Sequence, residues 1–197
     1  MRPPKAVRKI IQILSKLEIK KILDRVERTT YTGIRNETII LLLLDTGLRC
    51  AELVGLCIKD LYLGGQCLKV MGKGQKERIV PFGDRTARAI QRYLNLRPQA
   101  FSSEKIFLNQ DGEPLTENAL KLVFRRLAKK ADIPRLHVHL LRHTMATNFL
   151  LNGGNPIKLQ RILGHETIEM TRKYIDMAAI QISVTESRQS PVDNMNL

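Results

Sequence analysis

The stretch 61-LYLGGQCLKVMGKGQKERIVP-81 decides the fold class, because the chain leaves helical periodicity there and returns to it afterwards. Three apolar segments within it are typical of short strands: Leu61-Tyr62-Leu63, Cys67 to Met71, and Arg78 to Pro81. Gly64-Gly65 marks the first turn between them, and the glycine-rich segment 72–75 marks the second. The sequence therefore predicts a mainly α fold with a small antiparallel β-sheet, which is an α+β class.

Helical signals precede the predicted sheet. Ser15 and Glu18 have the spacing of a capping box, which predicts a helix that begins at Lys16. Its expected buried face consists of Leu17, Ile19, Ile22, Leu23 and Val26. A second helix is predicted over about 36–45, and Gly47 is well placed to end it. Arg49 then lies in the turn that precedes a short predicted helix over about 51–56.

Helical periodicity returns after the sheet. The predicted helices begin at Asp84, after Thr116, near Leu140, after Asn155 and near Ile168. The second, third and fifth of them end near Ala131, Leu151 and Met177, and the fourth carries Ile157, Leu159, Ile162 and Leu163. Thr116 is a capping residue, and Asn155 followed by Pro156 fits an N-cap with proline at the first helical position. The last of these helices displays Tyr174, so the final turn of the predicted domain carries a potential nucleophile.

Length and charge limit what the chain can be. Its 197 residues suffice for one sizeable core, and 33 Lys and Arg against 19 Asp and Glu leave a net charge of +14. That balance favours a polyanionic partner, although a basic ribosome-associated or merely basic soluble protein would share it. We expect a basic lead-in or linker stub at 1–13, one domain at 14–182 and a polar, mobile tail at 183–197.

The remaining composition argues against several kinds of site. Cys50, Cys57 and Cys67 are odd in number and lack a C-x-x-C spacing, so a disulfide framework or a structural zinc site is disfavoured. No apolar run approaches the length of a membrane span, and the N-terminus has no signal-peptide core. We expect a cytoplasmic protein that has no membrane contact, no metal and no cofactor.

Three separated motifs supply side chains suited to attack on a phosphodiester. They are Thr46-Gly47-Leu48-Arg49-Cys50-Ala51-Glu52, His139-Leu140-Leu141-Arg142-His143, and the segment from His165 to Tyr174. Guanidinium groups can clamp phosphate oxygens through a planar fork, and histidines can move protons near neutral pH. A tyrosine can become a covalent nucleophile. Taken singly, each piece more often belongs to a packed or solvated helix face.

Taken jointly and in this order, the motifs resemble the tyrosine site-specific recombinases, the phage-integrase and Xer-type family. The resemblance covers roughly residues 14–180 and the catalytic domain of that family. The matching blocks are Arg49 with Glu52, Lys73 on its glycine-flanked loop, His139 with Arg142, and His165 with Tyr174.

The resemblance implies a role for each of these residues. Tyr174 would be the nucleophile, and Arg49 and Arg142 would bind the reacting phosphate. Lys73 would protonate the leaving 5′ oxygen, with Lys76 as its local competitor.

The remaining roles concern protons and orientation. His139 would act as base or proton shuttle, and His165 would donate to a non-bridging oxygen. Glu52 would orient an arginine or a histidine, or form an ordinary surface salt bridge. For His143, a structural packing role and a catalytic role both stay open. The implied reaction makes a 3′-phosphotyrosyl link and needs neither metal nor ATP.

The resemblance also implies partners. The substrate would be double-stranded DNA, and the chain would form a homotetramer on paired sites and a monomer when free. Family members usually carry an upstream helical domain that closes around DNA. No room for it exists before residue 16, so a fragment or a short natural member is expected.

Two other functions stay open at this point. One is a DNA-binding module that has lost catalysis, although the six matching residues argue against it. The other is a metal-dependent nuclease, which would need clustered carboxylates that the sequence does not offer beside these motifs.

Overall fold

In a computed structural model of the chain, residues 11–72, 77–98 and 100–185 are described, with side chains up to residue 180. The α-helices of this part are α1 (Lys16–Asp24), α2 (Tyr31–Thr46), α3 (Cys50–Gly55), α4 (Asp84–Asn95), α5 (Glu117–Ala131), α6 (Val138–Leu151), α7 (Pro156–Leu163) and α8 (Glu169–Thr185). A short 3-10 helix at Ile58–Asp60 leads into the sheet.

The sheet has three antiparallel strands in the order β1 (Leu61–Tyr62), β2 (Cys67–Met71) and β3 (Glu77–Pro81). Leu68 pairs with Leu61 on one side and with Val80 on the other, and both Leu68 and Val80 are fully buried. One face of the hairpin therefore packs on the core while alternate residues face solvent. The predicted fold class is confirmed.

The N-terminal caps follow the sequence signals. Ser15 Oγ accepts from the Glu18 amide at 3.2 Å, and Glu18 Oε2 accepts from the Ser15 amide at 2.9 Å, so the capping box is present. The prediction that Leu17 is buried was wrong, because its side chain is 79% exposed. Ile22 and Leu23 are the buried residues of the helix, Ile19 is partly buried, and Val26 is buried just after the helix ends. A nine-residue helix turns only a narrow stripe inward.

Two helices are longer than the sequence indicates. α2 begins at Tyr31 rather than near residue 36, because Thr30 Oγ1 caps it by accepting from the Gly33 amide at 3.1 Å. α8 continues past Met177 to Thr185, into the segment assigned to the polar tail. The division of the chain at 13 and 182 stays a prediction, and residues 1–10 and 186–197 lie outside the described part.

Packing brings the end of α7 close to α6, α8 and β3. α2 packs against α4 and α6, and α6 packs against α7 and α8. α7 also contacts β3 and α8, so the turn that ends α7 lies between the hairpin and the last helix. No helix in the described ranges is long and apolar enough to cross a membrane.

Candidate active site

Arg142 lies on the buried side of α6, and its side chain is only 5% exposed. Its Nη1 donates to the Gly47 carbonyl at 2.5 Å, and its Nη2 donates to the Leu163 carbonyl at 2.9 Å. Burial and then the neighbouring charge of Arg49 hold the pKa of Arg142 below its ordinary value. The guanidinium therefore joins the end of α2 to the end of α7.

The turn at Gly47 depends on glycine. Its φ of 63° is left-handed, and a Cβ there would lie 2.9 Å from Leu163 Cδ2. Because the turn ends α2 tightly, the Gly47 carbonyl points at Arg142 and the chain continues directly into Arg49.

Arg49 is the N-cap residue of α3, and Glu52 holds it in two ways. Glu52 Oε2 accepts from the Arg49 amide at 2.8 Å, and Oε1 accepts from Arg49 Nη1 at 2.9 Å. Arg49 Nη2 reaches the Gly164 carbonyl at 3.3 Å. The geometry fits the orienting role expected for Glu52, rather than that of a surface salt bridge, because the carboxylate is almost fully buried.

Arg78 on β3 completes this cluster, although no role was assigned to it from the sequence. Its Nη1 and Nη2 donate to the two oxygens of Glu52 at 2.9 and 2.8 Å, and its Nε donates to the Ile162 carbonyl at 2.9 Å. Burial alone would raise the pKa of Glu52, but hydrogen bonds from Arg78 and Arg49 hold it below its ordinary value.

A sequence signal for Arg78 existed. Arg78 and Val80 share the inward face of β3, because side chains alternate along a strand. A charged residue at an inward position requires a buried partner, and that partner is Glu52. The motif instead drew attention to the loop lysines.

His165 follows α7 and contacts both neighbouring helices. Its Nε2 lies 3.0 Å from Arg142 Nη2, and its Nδ1 lies 2.8 Å from Thr171 Oγ1. Because a guanidinium only donates, Nε2 accepts and Nδ1 carries the proton. Burial and then the charges of Arg142 and Arg49 lower the pKa of His165 to about 4, so the ring is neutral at pH 7.

Tyr174 on α8 is buried against two histidines. Its ring lies parallel to that of His165, with centroids 6.1 Å apart and planes at 7°. The His143 ring lies 5.5 Å away at 47°, and Lys173 Nζ lies 4.8 Å from the phenol centroid. Burial, before neighbouring charges, lowers the pKa of His143 to about 4, and within the described part of the chain its buried Nδ1 has no hydrogen-bond partner.

The structure thus brings together six of the eight residues singled out from the sequence: Arg49, Glu52, Arg142, His143, His165 and Tyr174. His139 lies on the exposed first turn of α6, with its ring 6.4 Å from that of His137. Its partial burial, then the charges of His137 and Arg142, lower its pKa. Lys73 and its competitor Lys76 lie outside the described residues.

The arrangement can bind an anion beside a buried phenol. Arg49 and Arg142 are held by neighbouring carbonyls at the end of α7, and the neutral imidazole of His165 contacts both Arg142 and the ring of Tyr174. Among the side chains of 11–72, 77–98 and 100–180, no group of three or more His, Cys, Asp or Glu residues could hold a metal ion.

Comparison with known proteins covers most of the chain. The phage integrase family matches residues 12–180. Tyrosine recombinase XerC of Staphylococcus carnosus (strain TM300) is 36% identical over 168 residues, which are 84% of this chain and 57% of the relative. Tyrosine recombinase XerD of Staphylococcus saprophyticus is 36% identical over 184 residues, covering 91% of this chain and 62% of the relative. The chain spans about three fifths of the length of these relatives.

Solved structures resemble the fold as well. The XerA recombinase crystal structure aligns with a TM-score of 0.79 at 28% identity, over 95% of this chain and 68% of that one. The XerH recombinase in a post-cleavage complex with a palindromic difH substrate aligns with a TM-score of 0.76 at 26% identity, over 93% of this chain and 54% of that one. The resemblance drawn from the motifs is confirmed.

Proposed function

The chain belongs to the phage integrase family, and from that premise we propose that it cuts and rejoins DNA at specific sites through a covalent phosphotyrosyl intermediate. One observation carries the proposal. His165 is hydrogen-bonded to Arg142 and at the same time stacks on Tyr174. An N–H donor for a phosphate, a group that can carry a proton and a nucleophile therefore meet at one place.

The proposed reaction exchanges one phosphate ester for another. The Tyr174 oxygen attacks the phosphorus, the bond to the deoxyribose 5′ oxygen breaks, and the DNA 3′ end is left linked to the phenol. Attack on DNA requires α8 to expose Tyr174, because the side chain is 1% exposed. Attack of a second 5′ hydroxyl on the phosphotyrosyl link rejoins the strand without an external energy source.

Two arginines stabilise the charge that develops on the non-bridging oxygens. Arg142 and Arg49 are fixed by backbone carbonyls and Glu52, so their donors need little reorganisation during the reaction. When a phosphate oxygen takes the place of His165 as acceptor from Arg142 Nη2, His165 Nε2 loses its donor. A change of tautomer or a gained proton then lets that nitrogen donate to the same phosphate, as the resemblance implies.

Proton transfer needs an acceptor at the phenol and a donor at the leaving oxygen. His139 and His143 are the candidate acceptors, and Lys73 is the candidate donor, with Lys76 as the alternative. A 5′-bridging phosphorothiolate has a leaving group that needs no proton. Lys73→Ala should therefore be slow on ordinary DNA and largely restored on the sulfur substrate, and equal defects on both would assign Lys73 to binding.

Covalent trapping tests the proposed function. A duplex nicked near the cleavage site loses a short fragment after attack, so the covalent adduct accumulates. We expect an adduct stable to SDS, formed in the presence of EDTA, with the DNA on the peptide that contains Tyr174 by mass spectrometry. Binding without any adduct would favour the catalytically inactive DNA-binding module, and cleavage abolished by EDTA would favour a metal-dependent nuclease.

Double-stranded DNA is the proposed partner, and the net charge of +14 supports phosphate contacts. We propose a monomer when free and a homotetramer on paired sites. Sedimentation of the free chain, together with binding titrations at two salt concentrations, tests both statements. A stable free tetramer, or site-specific binding that ignores salt, would contradict them. A DNA substrate fits the cytoplasmic location predicted from the sequence, which stays a proposal.

A further inference from the structure

Arg78 is a third arginine beside the two that the proposed function assigns to the phosphate. We propose that Arg78 is a positioning residue: it occupies Glu52 so that Glu52 can orient Arg49 without capturing it. The expected effect on cleavage rests on the proposed function. The geometry rests on the contacts among Arg49, Glu52 and Arg78.

Glu52 has limited hydrogen-bonding capacity, and two arginines share it. Each carboxylate oxygen offers about two acceptor sites. Oε1 accepts from Arg49 Nη1 and Arg78 Nη1, both at 2.9 Å, and Oε2 accepts from the Arg49 amide and Arg78 Nη2, both at 2.8 Å. The four sites are thus filled, and only one belongs to the Arg49 guanidinium.

The division of these sites matters for Arg49. A carboxylate that faces a single guanidinium favours a bidentate fork, which would turn both Arg49 Nη groups onto Glu52. Because the fork of Arg78 fills one site on each oxygen, the Arg49 guanidinium keeps a single contact with Glu52, and its Nη2 lies 3.3 Å from the Gly164 carbonyl instead. Arg49 is thereby oriented but remains available to a phosphate.

The end of α7 fixes Arg78 in the same frame as the other two arginines. Three consecutive carbonyls accept from a different arginine each: Ile162 from Arg78, Leu163 from Arg142 and Gly164 from Arg49. The last carbonyls of a helix have no intrahelical partner, and the helix dipole favours cations there. A small displacement of Arg78 would therefore be transmitted to the relative positions of Arg49 and Arg142.

Gly164 makes that close approach possible. Its φ is +61°, and a Cβ built on it would lie 3.1 Å from Arg78 Cζ and from Arg78 Nη1. The guanidinium plane therefore lies directly against the turn that ends α7. Only 11% of the Arg78 side chain is exposed, so its fork has little freedom to rotate.

Arg78→Lys tests the inference, because lysine keeps the charge but cannot form the fork on Glu52. Arg92→Lys is the matched control, since the half-exposed side chain of Arg92 on α4 contacts the Arg28 carbonyl and Glu37, away from the site. We expect Arg78→Lys to slow adduct formation by on the order of 10- to 100-fold, with DNA binding unchanged, and Arg92→Lys to match the wild type.

Three substrates identify the route of the effect. A methylphosphonate at the cleaved position lacks one charged non-bridging oxygen, so it depends less on Arg49. We expect the Arg78→Lys defect to shrink on the methylphosphonate and to persist on ordinary DNA and on the 5′-bridging phosphorothiolate. Equal defects on all three substrates would make Arg78 merely structural. Recovery on the phosphorothiolate alone would mean that Arg78 acts through the hairpin lysines. Either result overturns the inference.

A second measurement does not depend on cleavage. In protein labelled with isotopes in its arginines, the guanidinium signals of Arg49 can be assigned by comparison with Arg49→Lys. We expect Arg78→Lys to change the exchange rate of the Arg49 Nη protons by about tenfold or more, while Arg92→Lys leaves it unchanged. An unchanged rate would overturn the inference, whereas absence of any adduct in the wild type would count against the proposed function instead.

Discussion

The described part of the chain contains two buried pairs of an arginine with a tyrosine, and they differ in what surrounds them. Arg35 and Arg142 are each 5% exposed, and Tyr93 and Tyr174 are each at most 1% exposed. Burial therefore does not distinguish the pairs. We call them the Arg35 pair, with Tyr93, and the Arg142 pair, with Tyr174.

The Arg35 pair is complemented by neutral polar groups. Arg35 Nη1 donates to the Leu108 carbonyl at 2.7 Å, and Arg35 Nε and Nη2 donate to Asn36 Oδ1 at 3.1 and 2.9 Å. The Tyr93 hydroxyl lies 2.8 Å from that of Tyr31 and accepts from the Leu108 amide at 3.2 Å. Folding alone accounts for this pair, because the polar groups satisfy one another.

The Arg142 pair has like charges around it. Burial, and then the charges of Arg49 and Arg78, lower the pKa of Arg142, and Glu52 is the one carboxylate that contributes against three cations. Such a concentration of positive charge is unfavourable to the folded protein unless an anion enters. The comparison teaches that burial of a single arginine among neutral polar groups is not by itself a sign of function. A cluster of three arginines around one carboxylate is the feature that supports the proposed phosphate site.

The largest expected difference is between the two tyrosines. Tyr174→Phe should abolish the covalent adduct, because the nucleophilic oxygen is gone. Tyr93→Phe should form the adduct at nearly the wild-type rate and lower the free energy of unfolding by about 1–2 kcal/mol through its lost hydrogen bonds. Adduct yield on nicked DNA and urea denaturation measure the two effects, and a full yield from Tyr174→Phe would remove Tyr174 from the chemistry.

Substitution of the two arginines should change the rate of adduct formation by different factors, although the difference is smaller than that between the two tyrosines. Arg142→Lys should slow adduct formation by on the order of 10²-fold or more, because a lysine cannot reproduce the planar fork at the phosphate. Arg35→Lys should change that rate by less than about threefold and act on stability instead. Single-turnover rates at a temperature where both variants are folded decide the matter. Similar rates in the two variants would show that the comparison misidentifies the phosphate site.

The dependence of stability on pH should report the two histidines that contact the Arg142 pair, whereas the Arg35 pair has no histidine among its hydrogen-bond partners in the described part of the chain. The pKa values of His165 and His143 are lowered to about 4 in the folded chain, against an ordinary value of 6.5. Each histidine therefore contributes stability that is complete above pH 6.5 and is lost as the pH falls toward 4, by up to about 3 kcal/mol.

Denaturation by urea at pH 7 and pH 5 measures this loss. His165→Gln should flatten the pH dependence, because glutamine cannot titrate, whereas Tyr93→Phe should lower stability equally at both pH values. An unaltered slope in His165→Gln would mean that another group carries the dependence.

The smallest expected effect is stabilisation by an anion. Inorganic phosphate at constant ionic strength should raise the Tm by roughly 2–4 °C when it fills the positive cluster. Arg35→Lys should keep this shift, and Arg142→Lys should lose most of it. Differential scanning calorimetry measures both shifts. Equal shifts in the two variants would assign the effect to the general action of phosphate on the protein surface.

Local signals made much of the fold predictable. The glycine-punctuated stretch 61–81 correctly indicates three antiparallel strands, and the caps at Ser15, Thr116 and Asn155 correctly start three helices. The early start of α2 was not visible, because a Thr30 cap followed by Tyr31 resembles a polar loop. The long α8 was not visible either, because Ser183, Val184 and Thr185 at its end are weaker helix formers.

For the candidate site, the sequence indicated which residues to consider but not how they contact one another. Short motifs identified Arg49, Arg142, His165 and Tyr174, since their residue types and order carry the chemistry. The roles given to these residues, and to Lys73 and His139, stay predictions.

The sequence by itself determined the family and the class of fold and pointed to the residues proposed to attack a phosphodiester, because these depend on local spacing and residue type. Only the tertiary structure decided that Arg78 shares Glu52 with Arg49, and that successive carbonyls at the end of α7 bind three arginines. Residues 78 and 162 come together because β3 packs on α7. Hydrogen bonds between groups so far apart in the chain are set by the packing of whole elements, which no local pattern encodes.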